Sequence, residues 1–375
     1  MDATVEAAAA PFGVYLHVPF CRARCDYCAF ATYTDRDELM VRYVDACAAE
    51  IERAGERGEL PPATSVFVGG GTPSRLPADE LCRLLGAVPT APGAEVTVEC
   101  NPEDADAARF AAYRGAGVNR LSFGVQSTVP HVLAALGRRH GSHDGRRAVE
   151  LAAEAGMASC NVDLIFGVAG ETAADWARTL ADVLSFDPVP PHVSAYALTV
   201  EPGTPLAGDP ARHPDDDVQA DRYLRADTVL AAAGLEWEEV SNWARPGHGA
   251  RHNRLYWRQG DYRGFGSAAH SHRAGHRWWN VRTPDRYVEA VEAGRTPVAA
   301  GEHLTESQRA FEALALGLRT PEGVPAANLP EDPVLDGLVE RRGGRAVLTV
   351  RGRLLANAVT AHLQVTSPPA GILPR

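Results

Sequence analysis

Between residues 14 and about 200 the chain repeats one local pattern six times, a short apolar run followed by a stretch with helical periodicity. The apolar runs are Val14–Val18, Ser65–Gly69, Glu95–Glu99, Leu121–Val125, Cys160–Phe166 and His192–Leu198. Runs of this length between turn residues read as strands. Their alternation with helices calls for a parallel sheet with the helices outside it. Six such units, closed or nearly closed, make an α/β barrel or partial barrel of (β/α)6 type. The first helix is expected to open on a capping pair, Asp35 with Glu38, and to bury Leu39, Met40, Tyr43, Val44, Cys47 and Ile51. Cys47 on that stripe reads as core. Further helices are expected at 77–87, 103–116, 128–137, 143–155 and 171–185.

Barrels place their chemistry at the C-terminal ends of the strands. Polar and glycine residues cluster there in this sequence. Strand two runs into Gly69-Gly70-Gly71-Thr72-Pro73, strand three ends at Glu99-Cys100-Asn101-Pro102, and strand four at Gly124-Val125-Gln126-Ser127. Asp163 lies inside the fifth run. Taken singly, a glycine loop is a tight turn and a buried acid is a satisfied core group. Together at one end of successive strands they point to a shared pocket. Consecutive glycines admit close approach of backbone to ligand. Glu99 and Asp163 can accept bonds from an ammonium or a ribose, Gln126 can donate and accept, and Arg138 can pair with a carboxylate.

Strand one ends at Cys21-Arg22-Ala23-Arg24-Cys25-Asp26-Tyr27-Cys28, a C-x₃-C-x₂-C loop. Three thiolates in a tight loop can hold three irons of a [4Fe–4S] cube, which ordinarily takes four. No fourth cysteine follows closely: the position two residues after Cys28 is Phe30. One iron would stay open to a small chelating ligand with an amine and a carboxylate. The alternatives are a disulfide or a zinc site. Zinc needs a fourth ligand, for which the sequence offers only His17 nearby. Tyr15 and Tyr27 flank the loop and can cover an adenine or the cluster, or pack in the barrel.

The seven cysteines include this cluster of three and four scattered ones, a pattern suited to a reducing compartment. A net charge of −11 argues against a nucleic-acid partner. Residues 1–10 carry two acids and no base, so they read as a disordered tail rather than a signal peptide. No apolar stretch approaches the length of a membrane span. A soluble, cytoplasmic protein is expected, with peripheral membrane contact left open and the oligomeric state undetermined.

Tyr15-Leu16-His17-Val18-Pro19-Phe20 with the three cysteines, then GGGTP, VECNP, RLSFGVQS, LGR and NVDLIFG in order, resemble the oxygen-independent coproporphyrinogen III dehydrogenase-like branch of the radical SAM superfamily. The resemblance runs from about residue 11 nearly to the C-terminus. It implies a partial (β/α)6 radical SAM barrel over 11–235. It implies that Cys21, Cys25 and Cys28 hold the cluster. Tyr15, Tyr27, Gly70, Gly71, Thr72, Glu99, Gln126, Arg138 and Asp163 match positions that contact S-adenosylmethionine. One departure bears on function: the dehydrogenase loop carries a further cysteine where this chain has Phe30. The run His252-Asn253-Arg254-Leu255-Tyr256-Trp257 matches the H-N-x-x-Y-W motif of HemW-type heme chaperones. That resemblance implies heme binding and delivery to recipient hemoproteins. The dehydrogenase reading, radical decarboxylation in porphyrin biosynthesis, is the alternative. His252 is the candidate heme contact, its bland reading a histidine satisfied in a turn.

Residues 236–300 form an aromatic and histidine-rich connecting region that can pack a flat porphyrin or simply cover the barrel. Within it, Asp261–Gly266 reads as a loop at the pocket mouth. Residues 301–375 read as a small mixed, winged-helix-like domain, opened by the capping pair Thr305 and Gln308. Its five arginines (341, 342, 345, 351 and 353) read as a solvated charged face or a docking surface, with DNA binding as the less favoured reading. Residues 366–375 read as a flexible end.

Overall fold

The computed structural model describes residues 10–366. The expected tail at 1–10 and flexible end at 366–375 lie almost wholly outside the described residues. Six strands are found where the apolar runs predict them: β1 (Phe12–Val18), β2 (Ala63–Gly70), β3 (Thr90–Cys100), β4 (Arg120–Gln126), β5 (Ser159–Phe166) and β6 (His192–Ala197). Each pairs in parallel with the next. β1 is buried along nearly all of its length, as a strand covered on both faces must be.

The helices between them are α1 (Met40–Glu56), α2 (Ala78–Gly86), α3 (Ala107–Gly115), α4 (Pro130–Ala135), α5 (Asp144–Glu154) and α6 (Ala173–Leu184). α1 presents Tyr43, Val44, Cys47 and Ile51 to the sheet, all essentially inaccessible. Side chains of this size stabilise by about 1.5–3 kcal/mol each when fully buried. The expected capping pair does not form. A 3-10 turn, Asp37–Leu39, leads into α1, and no side chain caps it. Asp35 instead pairs with Arg36.

The barrel stays open, and later segments extend both edges of its sheet. After α7 (Asp216–Ala232), the strands β7 (Glu236–Glu239) and β8 (Asn242–Ala244) add to the β6 edge. After α8 (Arg251–Trp257), β9 (Asp261–Phe265) pairs in parallel with β1. β10 (His270–Arg273), β11 (His276–Asn280) and, beyond α9 (Pro284–Glu292), β12 (Val298–His303) follow antiparallel. The twelve-stranded order is β12-β11-β10-β9-β1-β2-β3-β4-β5-β6-β8-β7. The loop predicted at Asp261–Gly266 is therefore strand β9. Its glycines mark close packing: a Cβ on Gly264 would overlap the His270 carbonyl, where the chain turns back into β10.

The C-terminal part builds its own small core from residues such as Leu318, Leu335, Leu348 and Val359. It comprises α10 (Glu306–Gly317), β13 (Val324–Pro325), β14 (Val339–Arg342), β15 (Arg345–Leu348), α11 (Val350–Leu354) and α12 (Ala356–Thr366). The Thr305–Gln308 capping box is present in both directions. Three of the five arginines are used internally. Arg341 bonds the Ala326, Leu329 and Pro330 carbonyls. Arg345 bonds those of Glu322 and Gly323, and Arg353 is buried against Asp227 of α7 at 2.8 Å. They do not form a free basic face.

Candidate functional site

The cysteine loop leaves the C-terminal end of β1 and is closed at its base. Cys21 N–H donates to the Tyr33 carbonyl at 3.0 Å, and Tyr33 N–H to that of Pro19 at 2.7 Å. Two further anchors come from distant parts of the chain. Leu206 N–H donates to the Asp26 carbonyl at 3.0 Å, and Arg212 pairs with the Asp26 carboxylate at 2.8 Å. The three thiols are free and partly exposed. Burial pushes the Cys21 thiol up to about 11 and raises that of Cys28. A bound metal deprotonates such thiols outright. Arg138 places Nη1 3.5 Å from Cys25 Sγ, and Thr72 Oγ1 lies 3.5 Å from Cys21 Sγ. Among the described residues no three His, Cys, Asp or Glu side chains converge on a single-ion position, as the zinc alternative requires. A cube binds its thiolates through different irons, so they need not converge. His17 is not available as a zinc ligand in this arrangement. Its Nδ1 meets Tyr15 Oη at 3.0 Å, its Nε2 meets the Ala31 carbonyl at 3.1 Å, and burial lowers its pKa to about 4.

The glycine loop after β2 is packed too closely for side chains. A Cβ on Gly70 would fall 2.5 Å from the His17 ring, and one on Gly71 would fall 2.8 Å from the Phe20 carbonyl. Gly71 and Thr72 donate their N–H groups to Val18 and Phe20, which joins this loop to the root of the cysteine loop. Among the described residues Glu99, at the end of β3, accepts only the Gly70 N–H, at 3.1 Å. Its carboxyl is pushed up to about 8, first by burial and then by the charge of Asp163. Asp163 is itself raised by burial and is held by Ser122 and Asn161. Among the described residues neither buried acid has a direct ion-pair partner, and an ammonium-bearing ligand would relieve both.

Gln126 closes β4 in the left-handed region, at φ 63°. Its Oε1 is buried without a hydrogen-bond partner. Such an orphan acceptor is rare and awaits a donor. Arg138 is clamped beside it by the Asn101 side chain at 3.0 Å and the Gly124 carbonyl at 2.6 Å.

A cavity of about 590 Å³ opens over this end of the barrel. Tyr15, Gly70 and Glu99 line it together with Phe30, which is 66% exposed. Gly71, Thr72, Gln126, Arg138 and Asp163 are not among its lining residues, and Tyr27 does not reach it. Its ring packs against the apolar cluster of Val129, Val132 and Leu206, and burial raises its phenol. The structure does not bring His252 to the cavity wall either. The imidazole lies on α8 at 0% exposure, with Nδ1 3.0 Å from Ser65 Oγ and Nε2 2.8 Å from Tyr256 Oη. Burial holds it neutral, with a pKa of about 3. Tyr256, four residues on, does reach the cavity.

Some residues around the site were not among the sequence candidates. Asn101 orients Arg138, and the VECNP motif carried that signal. Tyr262, His270, His272 and Arg277 reach the cavity from β9, β10 and β11. The sequence marks their region as aromatic and histidine-rich, with Tyr262 near a pocket mouth, but their convergence on this wall depends on strand pairing with β1.

Residues 15–183 match the Radical SAM superfamily. Coproporphyrinogen III oxidase (HemN) from Escherichia coli, a radical SAM enzyme, has the same fold. It superposes with a TM-score of 0.81 at 22% identity, covering 94% of this chain and 89% of that one. The open barrel with its three-cysteine loop is thus a radical SAM core. A protein named Heme chaperone HemW from Mycobacterium tuberculosis is 44% identical over 371 residues, spanning 94% of this chain and 95% of the relative. Heme chaperone HemW from Escherichia coli is 36% identical over 310 residues, 81% of this chain and 79% of the relative. The chain belongs to the HemW family.

Proposed function

We propose that this protein is a heme chaperone that binds heme and passes it to recipient hemoproteins, carrying a [4Fe–4S] cluster and S-adenosylmethionine. The observation that carries the reading is the near full-length identity of 44% to a protein named as a heme chaperone. Phe30, in place of a further cysteine, and the HNRLYW run of α8 support it.

In this reading Cys21, Cys25 and Cys28 ligate three irons. Glu99 and Asp163 receive the ligand's ammonium, Gln126 supplies a free acceptor, and Arg138 steadies the loop beside Cys25. Gly70, Gly71 and Thr72 let the backbone approach, while Tyr15 and Tyr27 pack on either side of the loop. His252 supports Tyr256 from below, so that the tyrosine rather than the imidazole faces the cavity. The cluster, when bound, supplies one-electron chemistry. A cytoplasmic location is part of this reading. No described helix is long and apolar enough to cross a membrane.

The test is anaerobic reconstitution, heme titration with and without S-adenosylmethionine, and transfer to an apo-hemoprotein. Stoichiometric heme binding followed by transfer is the expected result. Formation of protoporphyrinogen from coproporphyrinogen III under the same conditions would instead establish the dehydrogenase reading.

A further inference from the structure

The added strands β9–β12 have two faces, and the pleat sorts their side chains between them. His270, His272 and Arg277 face the cysteine loop and line the cavity there, while Tyr262 borders both cavities. Arg263, Arg273, His276, Trp278 and His303 lie on the opposite face. The pairing fixes this: Arg273 sits opposite His276, and His276 opposite His303. On that outward face a second cavity of about 790 Å³ lies between the strands, the C-terminal half of α1 and the turn after α9. Its size is within the usual range for cofactor sites, about 300–1,000 Å³.

Its chemistry is unlike the rest of the molecule. Five arginines line it against two glutamates, in a chain of net charge −11. Arg57 is held by Glu59, and Arg53 by the Val291 carbonyl. Arg295 makes no side-chain hydrogen bond or ion pair among the described residues, and Arg273 has only a 3.4 Å contact with the Glu59 carbonyl. Arg263, 9% exposed, stacks its guanidinium over Trp278 at 5.0 Å, and its buried Nε has no partner. The rings of His276 and His303 are stacked at 4.1 Å, 12° from parallel. Neutral imidazole is a common ligand of heme iron. An apolar indole, two guanidinium groups without a carboxylate partner among the described residues and an imidazole pair around one cavity match a flat, metal-bearing ring with carboxylate arms.

We propose that this outward cavity, remote from the cysteine loop, is the heme site. Trp278 lies against the macrocycle, Arg273 and Arg295 meet the propionates, and the His276–His303 pair supplies the iron ligand. This rests on the heme-chaperone reading and gives it a location. The cluster-side cavity is then left to S-adenosylmethionine, and heme and radical cofactor occupy opposite faces of one sheet.

The test is ferric heme titration of the full-length, cluster-reconstituted protein, followed by its Soret band. Two outward variants, H276A/H303A and R273E/R295E, are compared with one inward variant, H270A. The outward variants are expected to weaken heme binding at least about tenfold. H276A/H303A should also change the iron-ligand signature of the Soret spectrum. Cluster absorbance and S-adenosylmethionine binding should stay at wild-type values, which shows that the variants are folded. R273E/R295E alters exposed side chains only and guards against loss of folding in the histidine pair. The inward variant should bind heme as wild type does. Wild-type heme affinity in both outward variants overturns the site. If the inward variant then loses heme, the cargo lies on the cluster side and the chaperone reading stands. Failure of the wild-type protein to bind heme overturns the chaperone reading and the site with it.

Discussion

The parallel strands β1–β6 and the added strands β9–β12 belong to one sheet, yet they assemble their functional residues in different ways. In the parallel half, several candidate residues sit at the ends of successive strands, inside short runs of sequence. Gly70 and Gly71, Glu99, and Gln126 follow one another strand by strand. In the added half, side chains of one strand belong to two different cavities: Arg277 faces inward, and its neighbours His276 and Trp278 face outward. A βα unit therefore announces its site locally. An antiparallel extension declares one only after its register is known, since a shift of one residue exchanges the faces.

The strongest expected effect separates the two halves completely. Cys25→Ser removes one of three thiolates and should leave the reconstituted protein with almost no cluster iron, measured by metal analysis and visible absorbance. The thermal midpoint of the apo-protein should stay unchanged, because the thiol is partly exposed and no strand depends on it. A large drop in that midpoint would mean that the loop holds the barrel together.

The converse variant attacks the added strands. In Gly264→Ala the new Cβ overlaps the His270 carbonyl at the β9–β10 connection. Destabilisation of about 3 kcal/mol is expected in denaturant unfolding. Reconstituted cluster content should fall less than heme binding does. Equal loss of both would show that β1 and β9 cannot be perturbed separately.

His252→Ala probes the seam between the halves. The ring joins Ser65 of β2 to Tyr256 of α8 and stacks on Phe67 at 5.6 Å. Removing it leaves a buried hydroxyl unpaired and a void, costing about 2–3 kcal/mol. An imidazole that instead served as an exposed iron ligand would lose heme on substitution with little change in stability. Chemical denaturation and heme titration of the same variant tell these apart.

The same contrast explains what the sequence could convey. The six strands, the helix register of α1 and the core position of Cys47 were legible because period-2 and period-3.6 burial are properties of contiguous residues. Asp261–Gly266 was misread because two glycines argue for a loop until the partner strand is known. Gly264 is there to let β10 pass, and the partner, β1, lies some 250 residues earlier. The capping signal at Asp35 and Glu38 failed for a local reason: Arg36 captures Asp35, and a 3-10 turn starts the helix instead. The arginines of the C-terminal part read as a charged face because sequence does not show that Arg341 and Arg345 are spent on backbone carbonyls. His252 stood out as a motif residue, but only the packing of α8 on β1 and β2 reveals that its ring is enclosed.

The smallest effect, and the finest test of the parallel half, concerns Glu99. Its carboxyl is raised from 4.5 to about 8 in the folded protein, by burial first and by Asp163 second. Such a group favours folding most below its ordinary value. The advantage is lost as pH rises through about 8, because the unfolded chain ionises first. A cationic ligand reverses the preference. An ammonium placed beside Glu99 pulls the proton off, so binding releases a proton wherever the free protein is still protonated. Affinity for S-adenosylmethionine should therefore rise with pH up to about 8 and level off above it. The slope for one released proton is at most about tenfold per pH unit. Glu99→Gln keeps the shape and the Gly70 contact but has no proton to lose, so its binding should be weaker and flatter with pH. Calorimetry in buffers of different ionisation heat counts the released proton directly. Parallel pH profiles for the wild-type protein and the variant would move the ammonium site to Asp163, the other buried acid of this half, whereas a flattened profile ties it to the end of β3.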